Sequence, residues 1–177
     1  MMLKDFKPAL KILLRFITVY VVLLFAYQFY LNYFAQLGLD AFSRSVAEQV
    51  KFIQNHTGYS TQLYNDVKGA QVYFYVNNDY PSRMVEGCNA VSVMILFLSF
   101  VFAFYKGKKT IVFIMAGLLV LHLMNVLRIV GLNIVLTDYR QYGKMVHDYV
   151  FPAVIYGTVV LLWLVWIKFF ALKYENT

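Results

Sequence analysis

Acidic residues are scarce in this chain of 177 residues: nine Asp and Glu face sixteen Lys and Arg, and charged residues make up only 14% of the total. An average soluble domain carries about a quarter charged residues and is about half apolar, whereas 61% of this chain is hydrophobic and 19% aromatic. There is one cysteine, Cys88, so an internal disulfide is excluded. No cluster of ligand-type residues has metal-binding spacing, so neither a metal nor another cofactor is expected. Internal repeats and low-complexity linkers are absent, which makes 1–177 a single membrane domain. The apolar runs contain no acid, and this weakens any proton-relay reading.

A bilayer core takes about 20 apolar residues as a helix. Four stretches qualify: about 12–31, 87–105, 110–130 and 149–167, the third with a possible continuation to Leu136. The last has Pro152 near its start, where a missing N–H does least harm. The first is too long for a signal-peptide core and has no small-x-small cleavage site after it, so it reads as a retained span. The expected class is an all-α integral membrane protein of about four transmembrane helices with a small extracytoplasmic helix and strand cap.

Basic residues orient it. Lys4, Lys7, Lys11, Arg15, Lys106, Lys108, Lys109, Lys168 and Lys173 lie in one set of ends and loops, against Asp5 and Glu175. The segments 32–86 and 128–148 hold seven basic and seven acidic residues, so the formal +7 sits on one side. That side is expected to be cytoplasmic, with both termini in it. Topology and anionic headgroups account for the charge, and a nucleic-acid partner is not called for.

The segment 32–86 begins with apolar Phe42, Val46, Val50 and Ile53 at helical spacing after a capping Asp40. This predicts an amphipathic helix on the membrane face or across the helix ends. The stretch QVYFYVNNDYPSR is β-branched and aromatic, then broken by Asn-Asn-Asp and Pro81, which predicts a short strand or hairpin. Asn55-His56-Thr57 matches a glycosylation sequon, too weak a match to use.

Depth brings the polar residues together. At ~1.5 Å per residue, Cys88 lies roughly 27 Å above Lys106, Arg128 roughly 28 Å above Lys109, and His147 roughly 31 Å above Lys168. Three segments thus carry a thiol, a guanidinium and an imidazole to the outer edge of a ~30 Å hydrocarbon core. A thiol attacks as thiolate, which a nearby cation favours. A histidine can take its proton, and an arginine offers donors to a developing oxyanion. These are the parts of an acyl-transfer site. Singly, each has a plainer reading: Cys88 as an apolar filler, Arg128 as a snorkelling side chain, His147-Asp148 as an interfacial pair. Palmitoylation of Cys88 fits poorly with its outward position.

Other polar residues say less. His122, roughly 20 Å up, is either hydrogen-bonded between helices or part of a proton path. Asn125, three residues before Arg128, either orients the guanidinium or bridges two helices. Asn89 and Ser92 are near the thiol. Glu86 either pairs with Arg128 or is solvated.

The stretches EGCNAVSV, NVLRIVGLN and HDYVFPAVIYG resemble the exosortase/archaeosortase family, integral-membrane cysteine transpeptidase-like enzymes of prokaryotes. The short length and the EGCNA wording look most like the exosortase F type of Gram-negative bacteria. The resemblance covers roughly 83–160 and implies Cys88 as nucleophile with Arg128 and His147 completing the site. It implies protein substrates that end in a short motif, a transmembrane helix and a basic cluster, and an inner-membrane location with the site facing the periplasm. It also implies cleavage through a thioester, followed by transfer to a surface acceptor or to water. Many members are longer, and nothing in 1–80 carries a family motif. The competing expectation is a non-catalytic membrane scaffold or transport subunit, in which Cys88 would be dispensable.

Overall fold

A computed structural model describes residues 7–171; Lys4, Asp5, Lys173 and Glu175 lie outside the described residues. Helix α1 spans Lys7–Phe34 and α2 spans Ala41–His56. Strands β1 (Thr61–Asp66), β2 (Gln71–Val76) and β3 (Asp79–Met84) follow. Helices α3 (Val91–Ala103), α4 (Lys108–Asp138) and α5 (Phe151–Trp166) complete the chain. Three helical stretches are long and apolar enough to cross a membrane: Lys7–Phe34, Lys108–Asp138 and Arg140–Phe170.

The second apolar run forms a shorter helix than its hydropathy suggests. α3 has 13 residues, below the ~20 that span a bilayer core. The reason is local. Gly87 and Ala90 have φ of 84° and 60°, the left-handed region, which stops helix from extending back through Cys88. Cys88 therefore sits in a turn ahead of α3, with its N–H donating to the Val85 carbonyl at 3.2 Å. The third run is longer than its apolar part, since α4 continues past Arg128 to Asp138.

The last helix begins before its apolar run. From Gly143 it passes through a π-helical turn, Val146–Val150, into α5. Pro152 has no N–H, and its ring would collide with the carbonyl four residues back in a regular α-helix. The wider turn relieves that clash and carries His147 and Asp148.

Between α1 and α3 the chain is not all-α. β1, β2 and β3 form an antiparallel sheet in that order. The predicted hairpin is β2–β3, joined by Asn77-Asn78 with φ of 47° and 68°, the two positive values that a type I′ turn needs. Val76 pairs with Asp79 and Phe74 with Ser82, so Tyr75 faces both Tyr80 and Pro81. This bulge accommodates the proline on an edge strand. β1 adds a third strand that its polar TQLYND sequence did not announce.

Alternation on β2 buries Val72, Phe74 and Val76 against Val46, Ala47 and Val50 of α2 and Val126, Ile129 and Val130 of α4. Asp40 caps α2 through its Oδ1, which accepts from the Ser43 N–H at 3.0 Å. The apolar stripe of α2 thus faces protein rather than lipid. A second core joins α3, α4 and α5 through Phe97, Val101, Leu121, Val159 and Trp166. α1 runs against α3, with Phe16 edge-on to Phe100 at 6.4 Å.

Candidate active site

The turn that carries Cys88 is held on both sides by buried asparagines. Asn89 is fully buried; its Nδ2 donates to Ser43 Oγ of α2 and Tyr27 Oη of α1, both at 2.9 Å. Its Oδ1 accepts the first N–H of α3, that of Val91, at 3.0 Å. Asn125 of α4, also fully buried, donates through Nδ2 to the Cys88 carbonyl at 3.0 Å. Its Oδ1 accepts from Arg128 Nη1 at 3.4 Å, three residues further along the same helix. A buried amide satisfied at both ends is inexpensive in apolar surroundings, whereas an unsatisfied one is not. The two asparagines therefore fix the backbone around the thiol to three helices.

Cys88, Arg128 and His147 line one cavity of about 270 Å³. Its remaining wall is Ser82, Arg83, Met84 and Val85 at the end of β3, together with Ile129, Leu132 and Leu136 of α4. The thiol is half-buried. Arg128 Nε is buried and has no hydrogen-bond partner among the described residues. His147 is exposed and its Nδ1 is 2.8 Å from Asp148 Oδ1, which fixes the ring against a carboxylate. A thiol, a histidine oriented by a carboxylate and a guanidinium with a spare donor are the groups that attack, proton transfer and oxyanion stabilisation require.

The other candidate residues fall elsewhere. Glu86 and Ser92 line a different groove, about 640 Å³, against Val21, Leu24 and Gln28 of α1. Glu86 does not pair with Arg128; the turn through Gly87 and Cys88 separates them. His122 is hydrogen-bonded between helices, its Nε2 2.8 Å from Gln49 Oε1 of α2 and its ring 5.7 Å from that of Phe42. It lies outside the Cys88 cavity.

Sequence reading missed the wall contributed by β3. Ser82 Oγ donates to Asn133 Oδ1, and Asn133 Nδ2 donates to Gln54 Oε1 at 3.2 Å, a buried chain that ties β3, α4 and α2 together. Its one visible signal was Asn133 in the apolar run of α4, where a polar side chain calls for a partner.

Long apolar helices beneath a small sheet, with a lone thiol at their junction, define an integral membrane protein in which Cys88, Arg128 and His147 gather at one end of the helices. A family model for transmembrane exosortases matches residues 8–170, and the chain belongs to that family. Neither a curated protein nor a solved structure matches it.

Proposed function

We propose that the protein is a cysteine transpeptidase or protease that cuts the C-terminal sorting signal of exported, tail-anchored proteins. The observation that carries this reading is the shared cavity of Cys88, Arg128 and His147, drawn from three separate elements. His147 accepts the thiol proton, and Cys88 Sγ attacks the carbonyl of the scissile peptide. Arg128 donates to the oxyanion of the tetrahedral intermediate. The C–N bond then breaks, His147 returns the proton to the departing amine, and a thioester remains on Cys88. Attack by an acceptor nucleophile, or by water, releases the product and restores the thiol.

Topology supports a site on the outer, periplasmic side of the bacterial inner membrane. Lys7, Lys11 and Arg15 open α1, Lys106 to Lys109 join α3 to α4, and Lys168 follows α5, all at the ends of helices opposite the cavity. A substrate helix alongside these would present its outer end at the level of Cys88. Within the family, the EGCNA motif favours the F type.

The test is the processing, in the native host, of a precursor that ends in a motif, an apolar helix and a basic cluster. Replacement by Cys88→Ala in the native host should leave that precursor full-length in the membrane, as should Arg128→Gln and His147→Ala. Normal processing in the Cys88→Ala strain would overturn the reading and favour a scaffold.

A further inference from the structure

β3 is an edge strand, paired with β2 on one side and with no strand on the other. Four consecutive residues at its end, Ser82, Arg83, Met84 and Val85, line the cavity that holds Cys88. Successive side chains of a strand point to opposite faces, so a cavity over one face is lined by alternate residues. Lining by Ser82, Arg83 and Met84 in succession, and by Val85 just beyond the strand, fits a cavity that runs along the strand's edge and past its end. In an antiparallel pair, alternate residues direct their N–H and C=O groups away from the partner. Among the described residues, no backbone group of Ser82, Arg83 or Met84 bonds to backbone outside the sheet. Met84 is only 1% exposed, so the accessible part of the edge is Ser82 and Arg83, and the chain passes from there through the buried Met84 to the nucleophile's turn four residues on.

The opposite wall is α4, from Arg128 to Leu136, about 12 Å by helical rise. Ser82 to Val85 extends about 10 Å at ~3.3 Å per residue, so the slot holds about three residues of extended peptide. Its charged lining is Arg83 and Arg128, with no acidic side chain, which suits the carbonyl oxygens of a peptide backbone.

We propose that the substrate's extended segment, just outside its membrane helix, binds by adding to β3 as a fourth strand, with its scissile carbonyl delivered to Cys88. This rests on the reading of Cys88 as a nucleophile towards peptide carbonyls. Strand addition gives affinity through main-chain hydrogen bonds and aligns the carbonyl without reading side chains. Arg83 and Ser82 then act as walls of the subsite beside the scissile bond, and the chain's exit from the sheet at Val85 sets the depth at which cleavage occurs.

The experiment uses purified full-length protein in lipid nanodiscs and needs no native substrate. Acetyl-trialanyl chloromethyl ketone alkylates thiols through the same warhead as chloroacetone, the sulfur displacing chloride. The chain has a single thiol, and a Cys88→Ala control separates its adduct from alkylation of His147 in the same cavity. The peptide reagent should modify Cys88 faster than chloroacetone does. Methylating one amide nitrogen at a time should slow it about two- to tenfold, the worth of a single hydrogen bond, and only at alternate residues. Acceleration with equal sensitivity at every position, or at none, would overturn strand addition while leaving Cys88 as a peptide-directed nucleophile. No acceleration over chloroacetone would overturn both the strand addition and the reading it rests on.

Discussion

Replacing Asn125 tests how the site is built. Asn125 is fully buried, donates to the Cys88 carbonyl at 3.0 Å and accepts from Arg128 Nη1 at 3.4 Å. Asn125→Ala leaves the part-buried Cys88 carbonyl without its donor and the guanidinium without its acceptor, beside an Nε that already has none. An unsatisfied buried group costs about 1–3 kcal/mol, and with both contacts part-buried and one of them long, about 1–3 kcal/mol of stability in all is expected to go. The Cys88 turn, released on one side, also loses its alignment, and displacement of a reacting atom by ~1 Å can cost on the order of 100-fold in rate. Asn125→Asp separates the two effects. Its carboxylate still accepts from Arg128 but cannot donate to the carbonyl. It should unfold closer to wild type than Asn125→Ala while processing precursor as slowly. The assay pairs thermal unfolding in nanodiscs with precursor processing in the host. Wild-type unfolding and processing in Asn125→Ala would refute the assignment.

Other consequences are as direct. Gly117 of α4 faces the ring of Phe97, which is fully buried and cannot swing aside, so Gly117→Ala should lose about 1–3 kcal/mol by overpacking, read as a lower unfolding temperature. Glu86→Gln should leave the rate of Cys88 alkylation unchanged, because Glu86 lines the groove on the far side of the turn. Asp66 accepts from Gln71 Nε2 and from the Gly69 N–H, each at 3.0 Å, and these bonds, the Gln71 one foremost, hold its carboxyl below the usual range. Because that pKa is lowered on folding, the stabilisation is present above the ordinary carboxylate pKa and fades as pH falls through the lowered value. Hydrogen exchange at the Gly69 amide should rise relative to its neighbours only in that acidic window, and Asp66→Asn should abolish the dependence.

Arg128 was legible because helical rise converts sequence distance into depth from Lys109 at the opposite end of α4, and His147 likewise from Lys168. The depth of Cys88 rested on a continuous helix, whereas α3 begins only at Val91. Depth is blind to direction around the helix. It left Glu86 either paired with Arg128 or solvated, with no means of telling that Gly87 and Ala90 turn the chain so that Glu86 faces α1. Hydropathy likewise ran the second span back to Gly87, since apolar content does not register a left-handed residue at Ala90. The α2 stripe and the β2 alternation were visible as periodicity, and both bury the faces they indicate. What they bury against was not visible: α2 is tied to α4 through Gln49–His122 and Gln54–Asn133, partners 73 and 79 residues apart. The β3 wall was hidden for the same reason. Arg83 and Ser82 enter the site only through strand pairing and a bulge at Pro81.

The central claim is that Cys88 carries the substrate as a thioester. The direct measurement is the mass of the Cys88 peptide from membranes of cells that produce precursor, compared with and without neutral hydroxylamine. The account predicts an acyl adduct on Cys88 that matches the processed precursor's new C-terminus and is removed by hydroxylamine. A Cys88 peptide that stays unmodified while precursor is processed in the same cells would contradict it.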